Sequence, residues 1–85
     1  MNQTVAPQVL RLPAVMQMTG LGKTSIYARI ADGLFPKSIP VGSRAVVWPI
    51  VEVEAINRAY IAGKTNDEVK ALVRKLEAKR KELDE

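Results

Sequence analysis

The stretch Gly20-Leu21-Gly22-Lys23-Thr24-Ser25 gathers the side chains best suited to meeting an anion: a lysine and two hydroxyls behind a glycine turn. It resembles the end of a phosphate-binding loop, G-x-x-x-x-G-K-[ST], in which backbone N–H groups cradle phosphates and the lysine meets their charge. That pattern needs its first glycine at position 17, where the chain has Gln17. It also needs a strand in front, and the residues in front read as a helix. Nucleotide hydrolysis is therefore not the reading. The glycines shape a turn, and Lys23, Thr24 and Ser25 form the polar opening of a helix.

Composition removes most other site chemistry. The 85 residues include no Cys and no His. Thiol nucleophiles, disulfides, imidazole bases and the usual zinc sites go with them. Glu52 and Glu54 are two apart in an expected helix and point to different faces, so they make no acid/base pair. Trp48, the only tryptophan, reads as core. The expectation is a protein that is not an enzyme and takes no cofactor and no metal. No run approaches the ~20 consecutive apolar residues of a membrane span. No apolar signal core follows the polar first residues.

The net charge of +4 is unevenly spread. Up to Ile50, five basic residues (Arg11, Lys23, Arg29, Lys37, Arg44) face one acid, Asp32. From Lys64 onward, seven basic residues nearly balance six acidic ones. An anionic partner would meet the first fifty residues.

The elements that must position these charges follow from local signals. Residues 1–8 are polar and expected to be flexible. Val9 to Leu12 alternates weakly, as a short strand or an extended lead-in. Pro13 suits the first turn of a helix that runs to Thr19. Gly20-Leu21-Gly22 joins it to a second helix, Lys23 to Asp32, in which Ile26 and Ile30 share a face. Two short helices joined by a glycine-containing turn are a helix-turn-helix, with Leu21 plugging its angle.

After Gly33 the period changes from helix to strand. Lys37 to Val41 and Arg44 to Trp48 flank Gly42-Ser43 and read as a hairpin. Pro36 and Pro40 demote its first strand to an edge. Pro49 opens a third helix, with Ile50, Val53, Ile56 and Tyr60 on one stripe and Gly63 as its stop. Thr65 and Glu68 form a capping box. The last helix runs to about Leu83, with Val69, Leu72, Val73, Leu76 and Leu83 on one stripe. The fold expected is mainly α with a small β-hairpin: a winged helix-turn-helix over 9–63, then a C-terminal helix over 64–85.

In that architecture a helix with one apolar and one polar face can enter the DNA major groove. Lys23, Thr24 and Ser25, at the helix start, are the expected base readers. Tyr27 can reach a phosphate or equally pack at the helix junction, and Arg29 can reach a phosphate or a base edge. Ser43 and Arg44 mark the wing tip, where phosphate or minor groove would be met. Lys37 is a further phosphate candidate.

These residues also carry a family resemblance. Residues 10–61 resemble the AlpA family of prophage regulatory proteins in Arg11-Leu12-Pro13, Thr19-Gly20-Leu21, Thr24-Ser25-Ile26-Tyr27, Gly33 to Lys37 and Gly42 to Trp48. The resemblance implies a winged helix-turn-helix of the MerR and excisionase type. It implies a sequence-specific binder of double-stranded DNA that regulates prophage integrase or excision genes, or acts as an excisionase. One departure is Gly22, where the family usually has a serine that would cap the helix. The C-terminal helix is a second departure.

A reading of another class is a winged helix turned protein adaptor, such as an antirepressor or a phage assembly subunit. The basic helix start and wing favour DNA. The C-terminal stripe can pack on its own domain or pair two chains as a homodimer. The expected location is cytoplasmic, at the nucleoid when bound.

Overall fold

A computed structural model describes residues 8–84, and their side chains up to Glu82. In order, these are β1 (Val9–Leu10), α1 (Leu12–Thr19), α2 (Lys23–Ala31), β2 (Ile39–Pro40), β3 (Val46–Pro49), α3 (Ile50–Ile61) and α4 (Asn66–Lys79). A 3-10 turn, Arg80–Asp84, follows α4. The expected flexible segment lies outside the described residues, apart from Gln8. Its carbonyl accepts from the Ile50 N–H at 2.8 Å.

The hairpin is part of a three-stranded antiparallel sheet in the order β1-β3-β2. Val9 pairs with Pro49 and Leu10 with Trp48, while Ile39 pairs with Val47 and Pro40 with Val46. Pro40 thus sits on an edge, as its missing N–H requires. The central position of β3 explains why its residues do not alternate in burial. Val47, Trp48 and Pro49 are all buried.

Helix ends follow local chemistry. Pro13 lies in the first turn of α1, and Gly20 closes it in the left-handed region at φ 73°, where a side chain would be strained. The Thr19 hydroxyl donates to Val15 O at 2.8 Å and accepts from the Leu21 N–H at 3.2 Å. From α3, Asn57 Nδ2 donates to Met18 O at 3.0 Å. The helix-turn-helix angle is thereby held by hydrogen bonds as well as by Leu21, which packs against the core. The capping box forms as expected. Glu68 N–H donates to Thr65 Oγ1 at 3.2 Å, and Thr65 N–H donates to Glu68 Oε1 at 2.8 Å.

One core joins every helix. Val15, Ile26, Phe35, Trp48, Val53 and Ile56 are essentially fully buried, together with Val69 and Val73 of α4. Trp48 is its centre, edge-on to Phe35 with ring centroids 6.4 Å apart. Its indole N–H donates to Pro36 O at 2.9 Å. Truncating such a residue to Ala costs about 3–5 kcal/mol. The α4 stripe packs on its own chain through Val69 and Val73, with Leu72 and Leu76 partly buried against the same core; the Leu83 side chain lies outside those described. The α-helix also ends at Lys79, short of Leu83, and passes at Arg80 into the 3-10 turn.

That turn makes the one buried ion pair among the described residues. Glu52, on α3, is 3% exposed, and both its oxygens accept from Arg80, at 2.8 and 2.6 Å. Removing one partner of such a pair typically costs about 3–5 kcal/mol, because the other is left buried and unpaired.

Candidate nucleic-acid interface

The sequence-nominated residues divide between the start of α2 and the wing. Lys23, Thr24 and Ser25 form the first turn of α2, and all three are exposed. Ile26, next along, is fully buried and fixes which face turns outward. Behind them Gly22 is the N-cap, in extended backbone at φ −80°, with no side-chain cap. The first turn of α2 contains no acidic residue. Helix starts ordinarily favour acids and disfavour lysine, because the partial positive charge there is unneutralised. The start of α4 obeys that rule with Asp67, Glu68 and a full capping box. The start of α2 breaks it at each point.

The wing tip is wider than a two-residue turn. The Val41 N–H donates to Ala45 O at 3.0 Å, which leaves Gly42, Ser43 and Arg44 as the loop. Arg44 is therefore in the tip and not in the strand, and Ser43 and Arg44 are exposed beside it. Lys37 is exposed at the root of the wing.

Tyr27 and Arg29 are built in more firmly. Tyr27 lies edge-on to Trp48, with centroids 6.3 Å apart, and remains 38% exposed. Its ring thus packs against Trp48 of β3. Arg29 is half-buried, and its Nη1 donates to the Tyr60 hydroxyl at 2.6 Å. The same guanidinium lies 4.9 Å from the centre of the Tyr60 ring. Tyr60 in turn donates to Leu34 O at 3.4 Å. Arg29 ties α2 to α3.

Sequence reasoning missed Asn57, Tyr60, Glu52 and Arg80 as supports. Tyr60 was visible only as a member of the α3 stripe. The other three carry no local signal, because their partners are 28 or more residues away. Among the described residues there is no group of acidic side chains arranged to hold a metal. No helix there is long and apolar enough to cross a membrane.

A short helix-turn-helix whose second helix presents a bare, basic N-terminus, followed by a hairpin with an arginine at its tip, defines a winged helix-turn-helix protein. The chain belongs to the family described as prophage CP4-57 regulatory protein (AlpA), whose model matches residues 8–56. It is similar to the DNA-binding transcriptional activator AlpA of Escherichia coli (strain K12). The two are 37% identical over 60 residues, covering 64% of this chain and 86% of that protein. It is also similar to the uncharacterized protein ORF88 of Enterobacteria phage P4, 40% identical over 55 residues, covering 65% of this chain. The chain spans 62% of the length of that phage protein. No solved structure matches the chain.

Proposed function

We propose that this protein binds double-stranded DNA at specific sequences and regulates the transcription of prophage integrase or excision genes. The observation that carries this reading is the start of α2. A helix that places Lys23 against its own positive end, with no acid and no side-chain cap, forgoes about 0.3–1 kcal/mol of local stability. Such local violations mark sites whose stabilisation comes from a partner. A polyanion is the partner that repays this one: its phosphate oxygens can accept from the free N–H groups of the first turn, and the negative potential of a DNA groove favours the Lys23 charge. The name of the Escherichia coli relative agrees with it.

In this reading the first turn of α2 enters the major groove, and Lys23, Thr24 and Ser25 read base edges. Arg44 and Ser43 meet the backbone or the neighbouring minor groove, and Lys37 meets a phosphate. Tyr27, on the same helix, packs edge-on against Trp48. Arg29 positions α2 through Tyr60.

Selection from a random duplex library at two salt concentrations tests the reading. An enriched sequence that survives the higher salt supports it. Enrichment lost at the higher salt reduces the protein to a basic surface without specificity. No binding at low salt would sink the DNA reading and favour a protein-binding adaptor.

A further inference from the structure

The family match ends at residue 56, and the contacts proposed above give α4 no part in DNA binding. We propose that the C-terminal end of α4 clamps the root of the wing, with Glu77 and Arg80 as positioning residues for the wing's contact with DNA. The inference rests on the DNA-binding reading and adds the part that sets the wing's place.

Lys37 lies two residues before β2, and α4 takes both of its main-chain polar groups. Its N–H donates to Glu77 Oε2 at 2.9 Å, and its carbonyl accepts from Arg80 Nη2 at 2.8 Å. Beside it, Pro36 O accepts from the Trp48 indole at 2.9 Å. Three consecutive polar groups of the chain entering the wing are thus fixed from outside β2. The clamp is itself anchored, since Arg80 grips both oxygens of Glu52 on α3. Glu52, by hydrogen bonding and then by charge, raises the guanidinium's pKa above its ordinary value against the opposing effect of burial, and Glu77 adds to this.

The wing needs such a fixture. Its outer strand has two residues, one of them a proline that donates nothing. Pairing of that length is marginal alone. A carboxylate at Glu77, close to a surface that would meet phosphates, also works against binding by charge alone. Its position makes sense if its oxygen is needed as an acceptor.

Those two effects have opposite signs, which separates them. The test compares the full chain with Glu77→Ala and Glu77→Gln. The readouts are affinity for the selected duplex and hydrogen exchange of the Lys37 and Val41 amides. Thermal melting checks that each variant folds. Glu77→Ala is expected to weaken binding several-fold and to speed both exchanges. Glu77→Gln keeps an acceptor without the charge and restores native exchange, with binding at least as tight as native. In an Arg44→Ala background the loss caused by Glu77→Ala should shrink to what the Lys37 contact carries.

Equal or tighter binding by both Glu77 variants would show that only charge matters and overturn the clamp. Unchanged exchange in Glu77→Ala overturns it whatever happens with DNA. An undiminished loss without Arg44 overturns the wing as the route. If the native chain binds no duplex, the DNA reading falls and the proposed role in binding falls with it. Faster exchange in Glu77→Ala would then support the clamp as a feature of the fold alone.

Discussion

The Arg29 guanidinium meets Tyr60 twice, donating Nη1 to its hydroxyl at 2.6 Å and lying 4.9 Å from its ring centre. A basic residue on the helix that would enter DNA is thus engaged by the helix behind it. Arg29→Ala is expected to lower stability by about 1–2 kcal/mol, and to change the salt dependence of DNA binding far less than loss of a free cation would. Tyr60→Phe should lower stability by ~0.5–1.5 kcal/mol through the lost hydroxyl. Denaturant titration and a salt series check both. A full unit lost from the salt slope in Arg29→Ala would make Arg29 a phosphate contact.

Lys23→Ala should move stability and binding in opposite directions. Removing a cation from the positive end of α2 is expected to stabilise the fold by about 0.3–1 kcal/mol. The same change should cost ~1–3 kcal/mol of discrimination at particular base pairs. Equal weakening across all duplexes would make Lys23 a backbone contact and not a reader.

Arg44→Ala should weaken binding to every duplex alike and reduce the salt slope by about one. Its melting temperature should hold, since the residue is an exposed member of the wing loop. An unchanged slope would remove the wing tip from the interface.

Gly22→Ser introduces the hydroxyl that caps helix starts. Nothing lies within 4 Å of the added Cβ, and the backbone is already extended. The expected gain is a few tenths of a kcal/mol, roughly 0.3. A loss of stability would mean that the N-cap needs glycine for a reason the geometry does not contain.

The exposed Glu68 carboxylate sits below its ordinary pKa, chiefly because the Thr65 N–H donates to it; partial desolvation opposes this, and Lys64 and the Thr65 hydroxyl add to it. A pKa lowered by folding makes the cap's contribution full above the unfolded value, roughly 4.3. That contribution fades as pH falls through the lower, folded value. Glu68→Gln keeps the acceptor and removes the titration. Its melting temperature should therefore vary less than the native protein's between pH 5 and about pH 3. Parallel curves would sink the assignment.

The parts legible in the sequence were those with local causes. Pro13 and Gly20 bracket α1, Gly22 opens α2, and Thr65 with Glu68 starts α4. The turn residues Gly42 and Ser43 located the wing, and the single Trp48 declared the core. What stayed hidden depended on distant partners. In the sequence Val9 to Leu12 reads as a short strand or a lead-in, and only pairing with Trp48 and Pro49 makes Val9–Leu10 the strand β1. The periodicity of α4 was plain, but a stripe does not say what will cover it; Val69 and Val73 turned out to belong to one core with Val53 and Ile56 of α3. Among the candidate readers, exposure of Lys23, Thr24 and Ser25 followed from the burial of Ile26, while the tie between Arg29 and Tyr60 joins residues 31 apart.

The sheet also governs how the protein tolerates crowding. Among the described residues its longest strand, β3, has a neighbour on each side. Each outer strand is two residues long, and one of them ends in Pro40. Short edges and an edge proline are the devices by which β-proteins block strand addition by another molecule. Many copies could therefore be concentrated on one stretch of DNA without their sheets fusing into aggregates.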